Sequence, residues 1–244
     1  MSGAVLVLGA TSDMAREIAR AFAAKGHPIR LAARVPERLA DDKADLETRF
    51  GVPVTLHAFD ALDTAAHAGF VAGLPELPEI AVCAVGLMGD QAETAADPEA
   101  AARVMRTNFE GPASILERLA DAMEARGSGT IVGISSVAGL RGRASNYVYG
   151  AAKAGFTAYL SGLRNRLAKR GVHVVTVLPG FVRTRMTEGL DLPDRLTAEP
   201  SEVGAAVLRG VEKGRNIIYV RPVWQVVMTI IRALPEPIFK KTSL

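Results

Sequence analysis

The chain is poor in cysteine, aromatic residues, histidine and unbroken apolar runs, and most of these shortages exclude something. One cysteine in 244 residues rules out an internal disulfide and suits a reducing, cytoplasmic setting. That Cys83 lies within Ile80-Ala81-Val82-Cys83-Ala84-Val85, where a thiol reads as a small core residue. The four histidines (His27, His57, His67, His173) are scattered without the spacing of a metal site, and read as surface or strand-end residues. No apolar segment approaches the roughly 18 residues needed to cross a bilayer. The run Ala4–Leu8 is too short, and lacks the basic lead-in, to act as a signal peptide. A strong charge of either sign is missing too: a formal net charge of +3 leaves no footprint for a nucleic acid.

What is present is alternation. Short apolar runs, predicted as strands, cover Ala4–Leu8, Ile29–Ala33, Val54–Phe59, Ile80–Val85, Gly129–Ile134, His173–Leu178 and Asn216–Val220. Amphipathic stretches between them predict helices over Met14–Ala24, Val35–Phe50, Ala65–Ala72, Pro98–Arg126, Val148–Lys169 and Ser201–Lys213. The strands are apolar without period-two alternation, as in a parallel sheet covered on both faces. The reading is one doubly wound α/β domain over residues 1–244 with a seven-stranded parallel sheet, residues 221–244 forming an apolar C-terminal extension.

Two places carry chemistry. Tyr149 and Lys153 lie four residues apart on a predicted helix, hence on one face. A free tyrosine has a pKa near 10, and a nearby ammonium favours its phenolate and moves proton exchange toward neutral pH. Ser136, before the same helix, has a hydroxyl able to hold a carbonyl against that phenol. Tyr147 has Ala151, not a lysine, four residues on, and reads as packing or substrate-facing. At the other place, Val5-Leu6-Val7-Leu8-Gly9-Ala10-Thr11-Ser12-Asp13-Met14 is a strand, a tight turn and a helix start. Amides at a helix N-terminus favour a pyrophosphate, Gly9 permits the turn, and Thr11 and Ser12 can donate to phosphate oxygens. Asp13 has to point away from a phosphate, and its expected place is a cap on the Met14–Arg16 amides. After the second strand, Ala33-Arg34 replaces the carboxylate that would hold the ribose of NAD. Arg34 and Arg38 then favour a 2′-phosphate, or else merely solvate a helix start.

Together, the glycine turn, mid-chain Asn108, the Gly129–Gly139 segment with Ser136, the Tyr149/Lys153 pair and Pro179-Gly180 resemble the short-chain dehydrogenase/reductase family, from about residue 3 to about residue 220. The resemblance implies a Rossmann fold and an enzyme that exchanges hydride with NADP(H), the favoured cofactor, or NAD(H). It implies that Ser136 orients a carbonyl, Tyr149 is the general acid, Lys153 lowers its pKa and binds the nicotinamide ribose, and Asn108 supports a relay water. It places Asp60 and Ala61 at the adenine, Ala84, Val85 and Gly86 at the ribose, and Pro179, Gly180, Val182 and Thr184 at the nicotinamide. The chain departs from the family at Asp13 and Ala15, where glycines are usual, and at Cys83-Ala84, where asparagines are. Family members pair through two long helices, here Pro98–Arg126 and Val148–Lys169, so a homodimer or homotetramer is implied.

The substrate is less legible. Arg141, Arg143, Arg183 and Arg185 sit in loops expected to flank the cleft, where they would suit an anionic substrate, or are ordinary surface residues. The tail from Val223 to Lys241 is apolar and ends in Ile238-Phe239-Lys240-Lys241. It reads as a helix at a membrane interface, with Trp224, Met228, Ile231, Ile238 and Phe239 exposed, or as a segment docked on a partner subunit or over its own active site. This tail, with Asn146–Lys153 and Val182–Met186, resembles the branch containing decaprenylphosphoryl-2-keto-erythro-pentose reductases. That branch implies a keto sugar on a polyprenyl phosphate and a peripheral location at the inner membrane surface. The alternatives are a dehydrogenase of a small soluble alcohol and a non-catalytic nucleotide sensor on the same fold.

Overall fold

The computed structural model describes residues 3–242. Seven parallel strands, β1 (Val5–Leu8), β2 (Ile29–Ala33), β3 (Val54–Ala58), β4 (Ile80–Cys83), β5 (Gly129–Ile134), β6 (Val172–Pro179) and β9 (Ile217–Val220), form one sheet in the order β3-β2-β1-β4-β5-β6-β9. A separate two-stranded ribbon, β7 (Phe181–Val182) with β8 (Thr197–Ala198), follows β6. The register sets Val7 opposite both Leu31 and Val82, and β1, β2 and β4 are buried along their whole length. Burial on both faces explains why these strands read as continuous apolar runs.

Helices cover both faces. On one, α1 (Asp13–Ala23), α2 (Ala40–Phe50) and α8 (Pro200–Glu212) bring Ile18, Phe22, Leu46, Val203 and Val207 onto the sheet. On the other, α3 (His67–Ala72), α6 (Gly111–Arg126) and α7 (Tyr147–Leu167) bring Leu116, Leu119, Phe156 and Leu160. Full burial of each such side chain stabilises the fold by about 1.5–3 kcal/mol. A third apolar cluster joins α9 (Val223–Ala233) and α10 (Glu236–Phe239) to Val137 and Leu178.

Three predicted helices are shorter or broken. The stretch from Val35 starts as a tight 3₁₀ turn at Pro36–Leu39 before α2, and the one from Ala65 becomes α3 only at His67. Pro98–Arg126 is α5 (Pro98–Met105), a π turn over Arg106–Glu110, then α6. Pro112 has no N–H for the carbonyl four residues back, and the Asn108 side chain takes the Val104 carbonyl at 2.9 Å, so regular pairing lapses there. A short helix, α4 (Gln91–Ala96), and the β7–β8 ribbon carried too little periodicity to be read from sequence.

Candidate active site

In the sheet order, β1 and β4 are neighbours whose connections run to opposite sides, and a crevice opens at their carboxyl ends. It holds a cavity of about 340 Å³. Gly9, at φ 78°, forms its floor, and a Cβ there would stand 3.0 Å from the Val85 nitrogen. Thr11, Ser12 and Met14 line the cavity at the start of α1. Ser12, not Asp13, caps that helix, accepting from the Ala15 amide at 3.5 Å. Asp13 turns instead to the loop after β7: its carboxylate accepts from the Arg185 amide at 2.9 Å and from Arg185 Nε at 3.1 Å. Arg185 also donates to the Thr11 carbonyl. An acidic residue in an anion-binding turn is thus neutralised by a cation from the far side of the cleft.

Arg34 lines the wall beyond buried Ala33 and, among the described residues, forms no ion pair; Arg38 lies outside the lining. Asp60 and Ala61 lie on the same wall, with an Asp60 carboxylate oxygen accepting from the Leu62 amide at 2.9 Å. Ala84, Val85 and Gly86 line the opposite side, and Thr184 closes the end. Pro179, Gly180 and Val182 do not line this cavity. Arg103 and Thr107 do, and the sequence reading passed over both although Thr107 adjoins Asn108 and Arg103 lies one helical turn earlier. The cavity, the glycine floor, the amides and hydroxyls at the start of α1 and the unpaired Arg34 fit a nicotinamide dinucleotide.

Beside Gly86 the second group assembles. Lys153 is buried, and its Nζ donates to the Ile134 carbonyl at 3.0 Å. Asn108 is fully buried; its amide donates to the Leu87 carbonyl at 2.6 Å and its oxygen accepts from the Leu87 amide at 3.3 Å, bracing the segment after β4. A Cβ on Gly86 would lie 3.3 Å from Asn108 Oδ1 and 3.7 Å from Lys153 Nζ. Ser135 Oγ donates to the Lys153 carbonyl at 3.1 Å, which fixes the end of β5, and with it Ser136, against α7. Ser136 Oγ accepts from the Ala138 amide at 3.1 Å. Tyr149 is half-buried, with Lys153 Nζ 5.8 Å from its ring centroid.

Burial dominates the electrostatics of both groups. Burial pushes the Tyr149 phenol up to about 12, with the Ser136 hydroxyl pulling the other way. Burial also lowers the Lys153 ammonium to about 8, its charge being costly away from water. In this state Tyr149 is a protonated donor at neutral pH, and Lys153 is a cation only below about pH 8.

Comparison with known proteins agrees with this geometry. The family model for short chain dehydrogenases matches residues 3–194. The chain belongs to the short-chain dehydrogenase family. It is 39% identical over 240 residues to an oxidoreductase of Mycobacterium tuberculosis described as uncharacterised, covering 97% of this chain and 96% of that one. A short-chain dehydrogenase from Burkholderia cenocepacia in complex with NADP shares the fold at a TM-score of 0.83 and 23% identity, over 98% of this chain and 97% of the other. A 3-oxoacyl-[acyl-carrier protein] reductase from Brucella melitensis in complex with NAD aligns at a TM-score of 0.78 and 26% identity, over 93% and 98%. This short-chain dehydrogenase is therefore an NAD(P)-dependent oxidoreductase with the seven-stranded parallel sheet its sequence predicted.

Of the four arginines expected to flank the cleft, Arg185 lines the cavity and the other three do not. Arg185 pairs with Asp13, Arg183 with Asp194 at 2.9 Å and Glu199 at 3.0 Å, and Arg141 with Glu236 at 2.7 Å. Arg143 is partly buried, without a carboxylate. Of the readings of the tail, packing on its own chain accounts for most of the named residues: Trp224, Met228 and Ile231 are buried, Phe239 lies under the Arg141 guanidinium at 4.1 Å, and only Ile238 of the five is exposed. The Trp224 indole sits where a Gly180 Cβ would be, 1.9 Å from it, and donates to the Leu196 carbonyl at 3.0 Å. Gly180 thus makes room for the tail. His67 is buried, hydrogen-bonded to Ser114 at 2.9 Å, and not a surface residue. Cys83 is a buried core thiol raised to about 11 by burial. Among the described residues no cluster of His, Cys, Asp or Glu could hold a metal, and no helix is long and apolar enough to cross a membrane.

Proposed function

We propose that this short-chain dehydrogenase reduces a carbonyl to an alcohol with NADPH, and that Ser136, Tyr149, Lys153 and Asn108 are its reacting group. The observation that carries the reading is a phenol held protonated beside a serine hydroxyl and a buried lysine, next to the glycine-floored cavity at the start of α1. The cofactor supplies hydride to the carbonyl carbon. Ser136 holds the carbonyl oxygen, and Tyr149 gives that oxygen its proton, so hydride and proton together make the alcohol. The phenolate left behind is stabilised by the Lys153 ammonium, and the proton is replaced through lysine and solvent. Asn108 keeps the Leu87 backbone, and hence Gly86, in place beside that ammonium.

Arg34 in place of a carboxylate after Ala33 supports NADPH over NADH, because a guanidinium matches a 2′-phosphate. Leu87 and Met186 on the cavity wall, with Arg185 there paired to Asp13, support an uncharged, apolar carbonyl. A keto sugar on a polyprenyl phosphate, the substrate implied by the resemblance, agrees with the apolar part and not with an arginine clamp on its phosphate. The same reading carries a homo-oligomer built on α6 and α7, a cytoplasmic location, and a peripheral membrane contact through the C-terminal segment. The test is NADPH oxidation against uncharged ketones and keto sugars with and without a prenyl chain. Turnover of prenylated or aryl ketones supports the reading, and absence of any carbonyl-dependent oxidation by pure protein refutes it.

A further inference from the structure

Helix α9 buries only part of its apolar surface. Trp224, Met228 and Ile231 pack on the protein, while Val226 and Ile230 are 61% and 60% exposed. Val223 and Ile238 are exposed as well. Val223, Val226 and Ile230 recur at i, i+3 and i+7, so they share one outward face. Gln225, Thr229 and Arg232 occupy the other exposed side of α9. The helix thus has a polar side, a protein-facing side and an apolar side turned outward.

The charge around this face has one sign. Lys240 and Lys241 are exposed and, among the described residues, form no ion pair. The one acidic residue of the segment, Glu236, is taken up by Arg141 at 2.7 Å. Apolar side chains flanked by free cations are complementary to an anionic lipid surface, where acyl chains meet negative headgroups. The buried side of α9 packs on Val137, the residue after Ser136, and on Leu178 at the end of β6.

We infer that the outer face of α9, with Lys240 and Lys241, seats the enzyme on an anionic bilayer and holds the Ser136 side of its cleft against the headgroups. The inference rests on the reading of the site as a ketoreductase only for its consequence: the carbonyl substrate is an amphiphile taken from the bilayer. The seating itself is independent of turnover.

The test is sedimentation of the full-length protein with vesicles of phosphatidylcholine alone or mixed with phosphatidylglycerol, alongside reduction of a water-soluble ketone. The wild type co-sediments with the mixed vesicles, less so as salt is raised, and stays in solution with phosphatidylcholine alone. Val226→Glu with Ile230→Glu abolishes co-sedimentation, and Ile230→Ser, a milder change, weakens it. Replacing Lys240 and Lys241 by glutamine weakens it about fivefold per cation. Every variant retains wild-type turnover of the soluble ketone, because none of these side chains lines the cavity. Wild-type protein that ignores the mixed vesicles, or a double glutamate variant that still binds them, overturns the inference. So does a double variant whose sole change is in oligomeric state, which would make this face a contact between copies. Failure of soluble turnover in the wild type counts instead against the ketoreductase reading.

Discussion

Arg34 is exposed in the cavity wall, without a carboxylate to hold it, at a position where a carboxylate would repel a 2′-phosphate. Its replacement by alanine removes a charge-assisted hydrogen bond of about 1.5–3 kcal/mol. Fluorescence titration is expected to show tighter binding of NADPH than NADH in the wild type, and loss of most of that difference in Arg34→Ala. Equal affinities in the wild type would contradict the assignment. Lys153 offers a second test. Burial lowers its pKa to about 8, so the cation is present below that pH and is lost above it. Because kcat/KM reports groups of the free enzyme, it should fall for reduction as pH rises through about 8. In Lys153→Arg, whose guanidinium does not titrate, that limb should disappear from the pH profile even if the absolute rate drops.

The C-terminal helices are part of the core. Trp224 fills the space above Gly180 and meets Phe181 edge-on, with ring centroids 5.2 Å apart. Trp224→Ala should cost about 3–5 kcal/mol in chemical denaturation, the range for truncating a buried aromatic. Gly180→Val should be as damaging, since its side chain would overlap the indole. A wild-type denaturation midpoint in either variant would show that the cluster is not packed as described. Truncation after Val220 removes this cluster, and is expected to impair folding as well as any lipid contact. The tail's composition showed that something apolar had to be covered, but not which side. Trp224, Met228 and Ile231 satisfy the helical period as well as Val223, Val226 and Ile230 do, and a glycine at position 180 settles it through contact with a residue distant in sequence. The π turn was hidden for a similar reason: Asn108 breaks the helix by bonding Val104 and Leu87, and only Val104 is local.

At the scale of the whole molecule, the doubly wound sheet was legible because both of its faces are covered. Strands such as Val5–Leu8 and Ile80–Cys83 have no solvent side and announce themselves by unbroken apolarity. Local pairs within the candidate site were legible too, since Tyr149 and Lys153 meet through helical spacing alone. What the sequence did not reveal is neutralisation across the cleft. Asp13 and Arg185 are separated by 172 positions, and Arg141 and Glu236 by 95, so neither partner could be assigned from local pattern. Those pairs take up Arg185 and Arg141, which local pattern leaves as free cations.

The account stands on Tyr149 as the proton donor. The most direct measurement is single-turnover oxidation of bound NADPH by an uncharged aryl ketone, compared between the wild type and Tyr149→Phe. NADPH affinity should match in the two proteins, because the phenol lies outside the dinucleotide cavity, while the rate should fall by roughly 10²–10⁴-fold in the variant. A Tyr149→Phe protein that binds NADPH and transfers hydride at the wild-type rate would contradict the account.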